Sequence, residues 1–300
     1  MSTPVPSVMS TPVPSVMSTP VPSVMSTPVP SVEVIGLNTY YGPRQVLKNV
    51  SLCVQPGEIF VIMGGSGSGK TTLLKHLLGL LRPSSGTIRL LGQDINTLPP
   101  LEMQALRTRM GVAFQSGALF SSMSVGDNIA LALREHTNLD ETTIGIVTRL
   151  KLEVVSLAGF EHLMPAELSG GMIKRAAFAR AIVMDPRLLF CDEPSAGLDP
   201  VVASSIDDLI LRLRDAMGMS IIVVTHDLDS TFKIADRICV LDQGEVLALG
   251  SVEAIRNCDN VRIQNLLNRR TEEAEIDPDA YLRRLLGEKE QIEPPERTGL

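Results

Sequence analysis

The stretch that most constrains this chain is Gly64-Gly65-Ser66-Gly67-Ser68-Gly69-Lys70-Thr71, which has the form G-x-x-x-x-G-K-S/T. An apolar run, Ile59-Phe60-Val61-Ile62-Met63, precedes it and reads as a buried strand. The leucine spacing of residues 72–78 behind it reads as a helix. That strand–loop–helix setting is what turns a glycine-rich pattern into a phosphate-binding loop. A flexible Gly/Ser linker would share the composition but not the flanks. Glycines let the backbone close around an anion so that successive N–H groups point at its oxygens, and the helix N-terminus adds its own donors. Lys70 is then expected to reach the β- and γ-phosphates of a nucleotide. The Thr71 hydroxyl is expected on Mg²⁺, with Thr72 beside it as a further contact.

Around this loop the chain reads as α/β. Residues 34–37 and 46–54 form short strands about the turn Tyr41-Gly42-Pro43. Tyr41 could stack on an adenine ring or could merely lid the turn. Residues 86–92 and 110–114 read as further strands, the second ending in Gln115. An apolar strand at 187–191 ends in Asp192-Glu193-Pro194, and another at 221–225 ends in His226. Acids at the C-terminal end of a strand lie where α/β sheets bind ligands. Asp192 suits Mg²⁺ and Glu193 suits a general base, although without the phosphate loop they would read as a solvated acidic turn. His226, at the same expected edge, could contact a γ-phosphate. Asp199 reads as the cap of the helix after the turn that starts at Ser195. A hairpin about Asp242-Gln243-Gly244 and short helices to about residue 270 complete the pattern.

Residues 116–175 look all-helical. Ser124-Val125-Gly126-Asp127 has the S-x-x-D form of a helix start, and Asp140-Glu141 opens a second helix. A third begins at Ser169-Gly170-Gly171, where a small cap leaves backbone donors open to an anion or is simply an ordinary cap.

Two extensions flank this domain. Met-Ser-Thr-Pro-Val-Pro-Ser-Val occurs four times over residues 1–32, with two prolines in each copy. Such a segment reads as a disordered arm in preference to a proline-rich docking ligand, so the fold is expected to begin near Glu33 and run to 270. Residues 271–300 carry nine acids against four bases and read as a solvated acidic tail. Residues 280–286 within it could dock on a partner.

Composition sets the outer limits. With 300 residues, 44% of them hydrophobic, the chain can bury a full core. Its net charge of −7 argues against a general nucleic-acid binder. Cys53, Cys191, Cys239 and Cys258 lack metal-ligand spacing and are expected to be buried small apolar residues. No uninterrupted apolar run of bilayer length and no signal peptide is visible, so a cytoplasmic protein is expected, with any membrane work done through a partner.

Taken in order, the phosphate loop, Gln115, Leu168-Ser169-Gly170-Gly171, Asp192-Glu193, Ser195–Asp199 and His226 resemble the motif set of the ABC-type ATPases over about residues 34–249. The resemblance implies a P-loop NTPase of ABC type, with a mixed central sheet, an antiparallel β subdomain and an all-helical insert. It implies that Tyr41 stacks on adenine, that Gln115 touches metal and water, and that Ser169, Gly170 and Gly171 bind the γ-phosphate held by a second copy. Glu193 would be the catalytic base, Asp199 a link across the dimer, and His226 the switch histidine. The cofactors implied are ATP and Mg²⁺. Finer features, namely 114–120, 133–137 and 164–172, the last ending in Met172 where most such signatures carry glutamine, are similar to the ATPases of Mla/Mce-type phospholipid transport. That branch implies an integral membrane permease, a Mce-domain lipid-binding protein and a small accessory subunit as partners, no nucleic acid, and a peripheral place on the cytoplasmic face of the inner membrane. The general ABC motifs alone also fit an ABC ATPase serving another cargo, such as an amino acid or lipoprotein, or, less favoured, a soluble ABC ATPase acting on nucleic acid or the ribosome.

Overall fold

The pattern of burial along each strand divides the chain into two sheets. A computed structural model describes residues 29–268. β1 (Val32–Tyr41) and β2 (Arg44–Val54) pair antiparallel and interleave buried with exposed positions, as a sheet with one face on a core must. β3 (Ile59–Met63) is buried at every residue, the mark of a strand covered on both faces. The phosphate-loop region leads to α1 (Lys70–Leu77), then β4 (Ser85–Leu90) and the two-residue β5 (Gln93–Asp94). α2 (Pro100–Arg107) follows, with proline in its first turn, and then β6 (Met110–Ala113). The sequence reading does not include α2: it is short, and its start signal is a Pro-Pro pair that also reads as a loop.

The helical insert holds α3 (Val125–His136) and α4 (Glu141–Val154), and α5 (Gly170–Ala181) leads out of it. The three N-caps are the residues the sequence marks. Ser124, Asp140 and Ser169 accept hydrogen bonds from the N–H groups of Asp127, Thr143 and Met172. α5 runs on past the insert to Ala181 and lies across β6. A Cβ on Gly111 would come within 2.2 Å of the Ala181 carbonyl oxygen, so that crossing requires glycine. β7 (Leu188–Asp192), α6 (Pro200–Met217), β8 (Ser220–Thr225), α7 (Leu228–Ile234), β9 (Arg237–Asp242) and β10 (Glu245–Ser251) complete the sheet. α8 (Val252–Arg256) and α9 (Val261–Leu267) close the described chain.

The strands assemble as an antiparallel sheet, β2-β1-β4-β5, and a mixed sheet, β10-β9-β3-β8-β7-β6, parallel except at its β10 edge. Alternate residues of the central strands feed two cores. Ile59, Val61 and Met63 of β3 pack with the insert helices and α6, while Phe60 and Ile62 pack with α1 and the antiparallel sheet. Each such side chain contributes about 1.5–3 kcal/mol on burial, which is why an unbroken apolar run is stable only in a two-sided layer.

The first strand begins one residue before Glu33, at Val32. Val32 is fully buried in β1, and Ser31 Oγ meets Ser220 Oγ at 2.6 Å in a buried contact. The fourth repeat copy therefore ends inside the domain, because its last valine has the alternation of the strand that follows it. Residues 1–28, the acidic tail and the 280–286 segment lie outside the described residues. Cys191 and Cys239 are buried as expected, whereas Cys53 and Cys258 are half-buried, and all four are free.

Candidate active site

Strands β3, β8, β7 and β6 are consecutive neighbours and run the same way. Met63 pairs with Thr225, Val224 with Asp192, and Cys191 with Ala113. Continuing each strand by one or two residues brings Gly64, His226, Glu193 and Gln115 to one edge, the carboxyl edge where parallel sheets bind ligands.

Gly64 leaves β3 against the neighbouring strand β9. A Cβ there would stand 2.0 Å from the Leu241 carbonyl oxygen and 2.7 Å from Ser68 Oγ. Gly69 caps α1 in a left-handed conformation, φ +105°, and a Cβ would meet Leu47 at 2.8 Å. α1 has no side-chain cap and no acid in its first turn, so its leading N–H donors face the loop with no acidic side chain of that turn competing. Lys70 Nζ donates to the carbonyls of Gly64 (2.7 Å) and Gly65 (2.9 Å). Burial lowers its pKa, with Glu193 and Asp192 acting in the opposite sense. Ser68 Oγ is buried with no partner. Backbone donors, an ammonium, the hydroxyls of Thr71 and Thr72 and an orphan serine hydroxyl make a set that fits a polyphosphate. Gly64, Gly65, Ser66, Lys70, Glu193 and His226 line one cleft of about 990 Å³.

Asp192 is the last residue of β7 and is half-buried. Burial pushes its carboxyl pKa up, and the neighbouring Glu193 adds to this against the pull of Lys174 and Lys70. A dication beside it would relieve both causes. Among the described residues no group of three or more His, Cys, Asp or Glu is gathered to hold a metal. The candidate oxygens are one carboxylate (Asp192), the Thr71 hydroxyl and the Gln115 amide. A set that sparse suits an ion that keeps water and phosphate oxygens, as Mg²⁺ does.

Glu193 sits at φ +45°, a left-handed conformation few non-glycine residues adopt. Its carboxylate accepts from Thr225 Oγ1 (3.1 Å) and meets His226 Nδ1 at 2.8 Å. The Glu193 side chain is 13% exposed and that of His226 is 67% exposed, so a buried acid is held by an imidazole open to the cleft. Strained backbone of this kind persists where neighbours over-determine it.

Ser169, Gly170, Gly171 and Asp199 gather elsewhere. They line a separate hollow of about 500 Å³, which shares Leu198 with the first cleft. The Ser169 hydroxyl caps α5, and Asp199 caps α6 by accepting from the N–H groups of Val201 and Val202. Tyr41 is half-exposed at the end of β1 and lines neither space. Gln115 is exposed at the end of β6, and its carbonyl is held by Lys174.

Three participants escape the sequence reading. Thr225 is read there only as the end of a strand, yet its buried hydroxyl orients Glu193. Lys174 reaches both Gln115 and Glu193, and Arg180 donates to the carbonyls of Gly117 and Ala118. Nothing in the residues alone marks them, because a cation on a helix reads as solvated until the surface it faces is known.

A strand–loop–helix anion cradle with an acid pair and a histidine on adjacent strands defines a P-loop nucleotide hydrolase. The chain belongs to the ABC transporter family, whose description matches residues 47–196. It is an ABC-type ATPase. It is 45% identical over 236 residues to the intermembrane phospholipid transport system ATP-binding protein MlaF of Haemophilus influenzae, covering 79% of this chain and 89% of that one. The MlaF of Escherichia coli K12 is 42% identical over 76% of this chain and 84% of its own. A probable ribonucleotide transport ATP-binding protein, mkl of Mycobacterium leprae, is 40% identical over 80% of this chain and 69% of its own. Among solved structures, the dimeric ATP-binding cassette MJ0796 bound to ADP and Pi superposes with a TM-score of 0.68 at 29% identity, covering 74% of this chain and 98% of that one. The cbiO1 subunit from Clostridium perfringens gives 0.71 at 30% identity, covering 85% of this chain and 99% of that one.

Proposed function

We propose that two copies of this chain close on two ATP molecules and power a membrane permease that moves phospholipid between the inner and outer membranes. The observation that carries the two-copy arrangement is the separation of the phosphate-loop cleft from the Ser169 hollow within one chain. A face-to-face partner brings its Ser169-Gly170-Gly171 to the γ-phosphate side of this chain's loop. In that arrangement Lys70 and the backbone donors hold the β- and γ-phosphates, and Glu193 accepts the proton of the attacking water. His226 and Thr225 keep that carboxylate aimed, and His226 and the partner's signature backbone steady the transferring group. Mg²⁺, held by Thr71, Asp192 and Gln115, would supply charge neutralisation on the phosphate oxygens. Tyr41 supplies a surface for adenine once the copies close.

Among the described residues no helix is long and apolar enough to cross a membrane. A groove of about 690 Å³ runs beside the Gln115 segment, with the exposed rings of Phe114 and Phe120 on its walls. We assign it to the permease, so the chain works peripherally on the cytoplasmic face. A Mce-domain lipid-binding protein and a small accessory subunit complete the assembly.

Phospholipid is favoured by the two MlaF relatives, 89% and 84% of whose own lengths this chain covers. The similarity to mkl supports ribonucleotide as the second reading. The test is reconstitution of the chain with the membrane proteins encoded beside it, in liposomes carrying labelled phospholipid outside and labelled ribonucleotide inside. ATP-dependent transfer of lipid supports the proposal. Movement of nucleotide with lipid left in place supports the alternative and refutes ours.

A further inference from the structure

Helix α5 carries a buried cation that the ATPase chemistry above does not use. Lys174 is 7% exposed, and its Nζ donates to the Gln115 carbonyl at 2.6 Å and to the Glu193 carbonyl at 2.9 Å. Those two carbonyls lie one or two residues beyond the ends of adjacent strands, β6 and β7, and the lysine comes from the helix that Ser169 caps. Lys174 lies five positions after Ser169, less than a turn and a half of helix, so the two move as one rigid piece.

We propose that Lys174 is a positioning residue that couples the Ser169 end of α5 to the Gln115 segment and to the backbone of Glu193. The inference rests on the ATPase reading and extends it to how the hydrolytic base is held.

The surroundings support a tether. The Glu193 N–H donates to the Val224 carbonyl at 2.8 Å, and its carboxylate is held by Thr225 and His226, all from the β8 side. Lys174 is the tie to Glu193 that comes from α5. The left-handed φ of Glu193 needs such over-determination, because alone it would relax. The Gln115 side is packed equally closely onto α5. A Cβ on Gly117 would stand 2.6 Å from Ile173, and Arg180 fixes the Gly117 and Ala118 carbonyls from the same helix. A displacement of Ser169, such as a second copy would impose, is therefore handed to residues 115–118 and to Glu193 together.

The cost of the arrangement argues that it does more than fill space. Burial lowers the pKa of Lys174, while Glu193 and Asp192 raise it. An apolar side chain of the same length would fill the space without the cost of burying an ammonium, so the donors that reach the two carbonyls are what the position keeps.

The test uses the full chain and measures kcat for ATP hydrolysis, affinity for a fluorescent ATP analogue, and thermal unfolding. Lys174→Met, which keeps the length and loses the donors, should bind the analogue as wild type does and lose at least tenfold in kcat. Lys174→Gln, which keeps two N–H donors without the charge, should recover most of that loss. Hydrolysis by K174M within twofold of wild type overturns the proposal. So does an affinity that falls in step with kcat, or a K174Q as impaired as K174M. Should K174M fail to fold, Lys174→Ala, whose vacated space admits water, is read by the same criteria. A wild-type chain that binds the analogue but hydrolyses no ATP would refute the ATPase reading instead, since both Lys174 readouts would then lack a reference.

Discussion

Replacing Glu193 by Gln isolates the proposed proton acceptor from the packing around it. The amide has the size of the carboxylate, and its oxygen can still accept from Thr225, which lies at 3.1 Å. The amide N–H₂ then faces His226 Nδ1, which sits at 2.8 Å and accepts in the neutral Nε2–H tautomer. The local network survives, so stability should change by about 1 kcal/mol or less, one hydrogen bond being exchanged for another. What is lost is the base. General-base catalysis contributes roughly 10²–10⁴ in rate, or about 3–5 kcal/mol at 1.36 kcal/mol per tenfold. Removing the charge also removes one of the two causes that raise Asp192, leaving burial alone, so the carboxyl moves back toward its ordinary range. Phosphate release measured at saturating ATP should therefore fall by two orders of magnitude or more. Binding of a labelled ATP should persist, and light scattering with ATP should show a long-lived dimer. Hydrolysis by Glu193→Gln at the wild-type rate would show that Glu193 is not the base. An equal loss of nucleotide affinity would place its role in binding.

Ser169→Asp keeps a good N-cap but sets a carboxylate where the partner's phosphate is proposed to lie. ATP-analogue binding by the single chain should hold while hydrolysis is lost, and loss of binding as well would refute the two-copy site. Gly111→Ala drives a methyl toward the Ala181 carbonyl at 2.2 Å. Overpacking of this kind should cost about 1–3 kcal/mol and lower Tm by roughly 2–12 °C in a scan, and an unchanged Tm would show that α5 does not bear on β6. His76 Nδ1 donates to the Leu81 carbonyl and its Nε2 accepts from the buried Thr39 hydroxyl, an arrangement that needs the neutral ring. Burial lowers its pKa below the unfolded value, so its contribution is complete above about pH 6.5 and is lost as pH falls toward the folded value. His76→Gln, which can make both bonds without titrating, should flatten that acid limb in urea melts. An identical slope would remove His76 as its cause.

What could be read locally was read correctly because its cause is local. The loop from Gly64 to Thr71 announces itself through contiguous residue types. The caps Ser124, Asp140, Ser169 and Asp199 are legible because a cap bonds to an N–H two or three residues away. The unbroken apolar runs of β3, β7 and β8 mark a sheet covered on both faces. α2 is too short to be legible, and Val32 belongs to two patterns at once, the eighth residue of a repeat and the first of a strand.

Strand order is another matter. Nothing in residues 59–63, 110–113, 188–192 and 220–225 says that β8 lies between β3 and β7, yet that order is what brings His226 to Glu193 and both to the loop. The hold of Lys174 on two carbonyls 59 and 19 residues away is equally silent in the chain, since a lysine on a helix reads as solvated until its neighbours are known. The composition and periodicity of the residues settle which elements form and what chemistry they carry. Which of them stand side by side depends on close packing over the whole core, a property that belongs to no single stretch.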